Sequence, residues 1–222
     1  MSSTMTKDFT RKTRVLGGIT VIDTPLITRA MDYARIHSEP FLFNHAVRSW
    51  LFAVRLGQLQ GVPHDAEVLA VGSLLHDLGL TDSFTGPTRF EIEGAHAARA
   101  FAREQGLDDR RVQLIWDSVA LNSTPSIGLH KEAEVALCTA GIVLDFGGPQ
   151  YDLIPPNEMK SILAEFPRLD MKRCITDSVC RIVTTKPETT YDNFARDFGE
   201  RFVPGYKRPS TVDFLMNAPF EE

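Results

Sequence analysis

Three features of the sequence predict an all-α fold, a helical bundle with a C-terminal helical extension. The apolar residues follow a helical period from about residue 23 onward. Capping residues or prolines stand at each break in that period, and no convincing alternating run lies between hairpin turns. Asp23 or Thr24 caps the first helix, with Pro25 in its first turn, where the missing N–H costs nothing, and the helix runs to about Ile36. Ser38 is expected to cap the second, which holds Pro40, Phe41, Val47, Trp50, Leu51, Val54 and Leu56 and ends near Gly61-Val62-Pro63. Asp65 opens a third helix, which stops at Gly79.

After a loop over 81–88 rich in Thr, Ser, Gly and Pro, a fourth helix runs from about Glu91 to Gln105 and meets Gly106 as a stop. Asp108 starts a fifth that reaches about Leu121, and 122–128 reads as turn. A sixth covers roughly 132–146 before Gly147-Gly148-Pro149, and further helices are expected near 156–165, 170–185 and 188–202. The tail from Pro204 carries Phe214, Leu215 and Phe220 and is expected to pack back on the body. The organisation expected is an N-terminal arm over 1–22 and a single helical domain over 23–222, with a core over 40–146 and an extension over 150–222.

Composition narrows the class. Hydrophobic residues at 43% and charged residues at 24% are ordinary for a globular chain and exclude a disordered or fibrous one. A net charge of −5 argues against a nucleic-acid partner gripped through its phosphates. The most apolar segment, Val135 to Phe146, is interrupted by Asp145 and too short for a bilayer, so no membrane association is expected. The polar segment MSSTMTKDFTRKTR lacks an apolar stretch of signal-peptide length. Cys138, Cys174 and Cys180 are odd in number and lie inside amphipathic stretches. They read as small buried hydrophobes in a reducing, cytoplasmic setting. A homo-oligomer is left open.

The chemistry is concentrated in Leu74-Leu75-His76-Asp77-Leu78-Gly79. A His-Asp pair at the end of an apolar helix places an imidazole and a carboxylate in the interior, and a divalent cation suits both. Gly72 and Ser73, one turn earlier, allow a neighbouring helix to come close. His45 lies among Phe41, Phe43, Val47 and Trp50, and Asp145 is the only acid late in the apolar sixth helix. The order is therefore H…HD…D, with separations of 31 and 68 residues. Four ligands from three helices could close around one ion and leave positions for water. The plainer alternative is two hydrogen-bonded core histidines and two helix-terminating aspartates. His64-Asp65 is also a His-Asp pair, but it follows Pro63 at a helix start and is read as a structural cap.

This ordered pattern, over His45 to Asp145, resembles the HD-domain superfamily of metal-dependent hydrolases. Several positions depart from the superfamily's usual pattern. Leu80 stands where many members carry a phosphate-binding lysine. Phe90, four residues before Gly94-Ala95, stands where dinuclear members carry a histidine, and Leu121-Asn122-Ser123-Thr124 lacks the further histidine expected there; His96 is out of register. The resemblance thus implies one metal and no phosphate clamp. His-Asp-Leu-Gly-Leu-Thr, Arg89-Phe90-Glu91-Ile92-Glu93-Gly94-Ala95 and Asp145-Phe146-Gly147-Gly148 together look like the cyanamide hydratase branch. That likeness implies a mononuclear zinc site and metal-activated water added to a small nitrile such as cyanamide, giving urea. Ligation by His and Asp suits Zn²⁺ and equally Fe²⁺, Mn²⁺, Co²⁺ or Ni²⁺.

A second group must orient the small-molecule substrate or supply a proton. Glu93 and Asn122 are the catalytic candidates, since their segments flank an HD site; each has a plain reading as a solvated or helix-ending residue. Arg48, one turn after His45, is read either as support behind the ligands or as a surface ion pair. Ser83, Phe84, Thr85 and Arg89, in the loop after the metal helix, could cover the site, and Phe84, Arg89 and Phe90 are the substrate-binding candidates. Two rivals stand beside the hydratase: an HD phosphohydrolase acting on a nucleotide or phosphate monoester, and a non-catalytic, metal-stabilised binding module.

Overall fold

The computed structural model of the protein describes residues 12–220, and the remainder of the arm expected over 1–22 lies outside the described residues. Eleven α-helices follow a short hairpin among the described residues: α1 (Pro25–His37), α2 (Pro40–Gln60), α3 (Ala66–Leu75), α4 (Phe90–Glu104), α5 (Asp109–Ala120), α6 (Pro125–Gly128), α7 (Ala133–Gly147), α8 (Pro156–Glu165), α9 (Met171–Thr185), α10 (Ala195–Phe202) and α11 (Thr211–Met216). The all-α expectation holds. Among the described residues no helix is long and apolar enough to cross a membrane.

Caps explain most of the boundaries. The Thr24 side chain accepts from Ile27 N, Asp65 from the N–H groups of Glu67 and Val68, and Asp108 from Arg111 N. Gly61 and Gly148 end α2 and α7 in the left-handed conformation. Ser38 departs from expectation: it ends α1, and α2 starts after an extended Glu39 that makes no side-chain cap bond. Pro40 at the first helical position disfavours helical geometry at the residue before it, which sets that boundary. The turn expected over 122–128 contains the short α6, and the run expected over 188–202 is split into a 3-10 turn and α10.

The described part of the N-terminal arm contains strands, which were not expected. β1 (Thr13–Leu16) and β2 (Ile19–Ile22) pair antiparallel around Gly17-Gly18, both with positive φ. Two consecutive residues at positive φ are what a tight hairpin turn requires. The hairpin buries Ile19 and Val21 against the main core. In contrast, the tail does not pack back: Phe214 is 83% exposed and Phe220 81%, with Leu215 similarly bare. Their apolar character had predicted burial, but a six-residue helix reached through Pro204 and Pro209 meets no apolar surface of the body.

The site is positioned by three close approaches. A Cβ on Gly141 of α7 would collide with the Ser49 carbonyl and the Ala53 N–H of α2, so these two helices meet backbone to backbone. One turn later on α7, Asp145 faces His45, one turn earlier on α2. The helices therefore run antiparallel. A Cβ on Gly79 would overlap the Phe90 carbonyl, so the 3-10 turn after Asp77 (Leu78–Leu80) seats against the start of α4, with Gly94 opposite. Last, a second apolar cluster joins Phe41, Leu42, Leu80 and Phe90 to Met171, Ile175 and Val179 of α9, so the C-terminal extension closes over the end of the bundle that carries the His-Asp pair.

Candidate metal centre

His76 sits at the C-terminal end of α3, where the last turn offers carbonyls without partners. Its Nδ1 donates to the Ser73 carbonyl at 2.8 Å. His45 uses its own Nδ1 on Asp145 Oδ2 at 2.6 Å. Each ring thus spends one nitrogen as a donor and turns the other, Nε2, to the same point. The two Nε2 atoms are 3.2 Å apart, and Asp77 Oδ2 lies 3.1 Å from that of His76 and 3.5 Å from that of His45. Both histidines and Asp77 are buried.

Two lone pairs and a carboxylate oxygen aimed at one point need a positive charge between them. The spacing fits a metal ion: tetrahedral bonds of about 2.0–2.2 Å place neighbouring ligand atoms ~3.3–3.6 Å apart, and octahedral ones ~3.0 Å. The electrostatics agree in sign. Burial pushes the Asp77 carboxyl up, but His76 and His45 together hold it below the ordinary carboxylate range. Burial pushes the His76 imidazole down, and the Asp77 carboxylate, the Ser73 carbonyl and Asp145 together more than reverse this. The cluster could hold a metal ion.

Asp145, expected as the fourth ligand, is placed differently. Its Oδ2 is on the far nitrogen of His45, and Arg48 clamps both of its oxygens at 2.8 Å through Nε and Nη2. Burial raises the Asp145 carboxyl, while the His45 and Arg48 hydrogen bonds hold it far below the ordinary range. The physical reason is Arg48: it is fully buried, and a buried guanidinium demands a carboxylate. Asp145 therefore orients His45 and neutralises Arg48, and Arg48 is neither exposed nor on a surface ion pair.

A cavity of about 220 Å³ opens beside the cluster. His45, His76, Asp77, Asn122 and Ser123 supply the polar part of its wall, and Leu80, Phe90, Phe146, Ile175, Val179 and Phe194 much of the apolar part. No lysine or arginine lines it among the described residues. Of the sequence candidates, Asn122 is at the wall, its Nδ2 donating to the carbonyls of Val119 at 2.7 Å and His76 at 3.2 Å, and Phe90 is at the wall too.

Glu93, Phe84 and Arg89 are not at this wall. Glu93 accepts from the Thr88 N–H and hydroxyl, both at 2.8 Å, because Phe90 and Gly94 take the inward face of α4 and turn it to the loop. Phe84 packs edge-on against His37, with centroids 4.8 Å apart, and lies tilted beside Tyr33. Arg89 is held by Glu91 at 2.9 Å and by Asp192. Sequence reasoning missed the fully buried Glu91 and Ser123, whose hydroxyl donates to the Glu91 carboxylate. Nothing local distinguishes Glu91 from Glu93. Ile175 and Val179 had a signal, one helical turn apart on the apolar face of α9.

The other His-Asp pair behaves as expected: Asp65 caps α3 and pairs with Arg111 at 2.9 Å, and His64 bonds the Val62 carbonyl. No protein-family profile matches the chain, and no curated protein matches it at a significant level.

Proposed function

We propose that the chain is an HD-type, metal-dependent hydratase that adds water to the C≡N bond of a small nitrile, cyanamide being the simplest candidate. One observation carries the reading: His45 Nε2, His76 Nε2 and Asp77 Oδ2 converge at the side of a mostly apolar cavity whose wall holds no lysine or arginine among the described residues. When bound, a divalent cation such as Zn²⁺ supplies Lewis acidity and brings the pKa of water toward neutrality. The chain's residues supply the rest. Asp145 and the Ser73 carbonyl fix both imidazoles with Nε2 free to ligate. The apolar wall limits competing water and strengthens the electrostatics at the site.

Hydration forms a bond from water oxygen to the nitrile carbon, moves a π pair to nitrogen and transfers one proton there; a second proton shift gives the amide. Ser123, at the wall and hydrogen-bonded to the buried Glu91 behind it, is the proton carrier, and the Asn122 side chain lines the same cavity. A phosphate ester is the poorer fit, because Arg48 is committed to Asp145 and Arg89 to Glu91 and Asp192. Purified protein with one equivalent of Zn²⁺ is expected to release urea from cyanamide, and chelation to stop it. Hydrolysis of nucleoside monophosphates with no urea formed would overturn the reading in favour of a phosphohydrolase; stoichiometric metal without turnover of either would favour the binding module.

A further inference from the structure

The cavity is larger and more apolar than the simplest nitrile needs. Cyanamide has three heavy atoms and displaces about two water volumes, ~60 Å³. The space beside the cluster is about 220 Å³. The surplus is bounded by hydrocarbon: Phe90 and Phe146 from the core helices, Ile175 and Val179 from α9, and Phe194 just before α10. These come from two parts of the chain far apart in sequence, and the described C-terminal part contributes no polar side chain to the wall. An apolar space of this kind gains nothing from a polar solute and favours a ligand that fills it with carbon.

Building on the hydratase reading, we infer that the substrate carries an apolar substituent of about five carbon atoms on its reacting carbon, seated between Phe146, Phe194 and the Ile175–Val179 face of α9. The metal cluster and the Asn122–Ser123 edge take the polar head. The reaction class is unchanged: R–C≡N plus water gives R–CO–NH₂, with R held in the apolar part. Cyanamide is then a minimal substrate that leaves most of the cavity unused.

The test uses the full chain loaded with one equivalent of Zn²⁺ and the series cyanamide, acetonitrile, butyronitrile and hexanenitrile. kcat/KM is expected to rise roughly fourfold per added methylene until the space is full. Val179→Trp, which fills the space, should cut the hexanenitrile-to-acetonitrile ratio at least tenfold. In parallel, calorimetry on the unmutated protein compares hexanamide with acetamide, and hexanamide should bind at least tenfold tighter. Flat or falling kcat/KM along the series, with cyanamide still hydrated, overturns this inference and leaves the hydratase reading intact. If no nitrile is hydrated, the hydratase reading fails by itself. Calorimetry then decides the inference: a gain with chain length supports it, and equal or absent binding overturns it.

Discussion

The two His-Asp pairs stand at opposite ends of one ten-residue helix, His64-Asp65 before α3 and His76-Asp77 after it. At the N-terminal end the helix presents unpaired N–H groups and the positive pole of its dipole, so the Asp65 carboxylate is satisfied by the backbone itself, accepting from Glu67 and Val68. At the C-terminal end there are only carbonyls and the negative pole. An imidazole is welcome there, and His76 donates to the Ser73 carbonyl. A carboxylate is not: Asp77 finds no backbone donor and must take its positive charge from elsewhere in the core. The same dipeptide is thus a cap in one place and an ion site in the other, and the direction of the helix decides which.

The largest expected effect separates the two pairs by metal content. Asp77→Ala should weaken Zn²⁺ binding roughly 100-fold or more, beyond the range seen when groups behind a ligand are removed. Asp65→Ala should retain one equivalent. Competition against a chromophoric chelator measures both. Equal loss in the two variants, or no loss in either, would break the comparison.

Asp145 comes next, through stability more than affinity. Asp145→Ala leaves the Arg48 guanidinium buried with only the carbonyls of Phe166 and Pro167 and the Met171 sulfur. Stranding a buried charge costs about 3–5 kcal/mol, read as a lower denaturant midpoint in the metal-free protein. The double variant Arg48→Met/Asp145→Leu should recover most of that loss. Its Zn²⁺ affinity should still fall about 10–100-fold, because His45 Nδ1 has lost its acceptor. A double variant that binds no metal at all would show Asp145 to be a direct ligand instead.

What the sequence could convey follows the same division between local and distant causes. Thr24, Asp65 and Asp108 act on N–H groups two or three residues away, and these caps were legible, the first only as a choice between Asp23 and Thr24. His45, His76 and Asp77 were legible because each interrupts an apolar stretch. The role of Asp145 was not, since it depends on Arg48, 97 residues distant, reaching the carboxylate first. Phe90 apart, the apolar part of the cavity wall was illegible for a related reason: Ile175 and Val179 announce an apolar helix face but not what it covers. The Gly17-Gly18 hairpin was overlooked despite a local signal, because four-residue strands leave almost no room for alternation to show.

The smallest effect tests the cap itself. Asp65→Ala removes the acceptor for two backbone N–H groups at the start of α3, worth ~1 kcal/mol, which in a chain of this size lowers Tm by about 2–4 °C. Arg111 keeps Glu67 at 2.6 Å, so the lost ion pair adds little at this half-exposed site. Asp65→Asn discriminates between cap and charge, because asparagine caps as well as aspartate without the charge. It should therefore keep nearly the full Tm. A loss with Asn as large as with Ala would mean that the pair before α3 acts through its charge, like the pair after it, and the contrast between the two helix ends would fail.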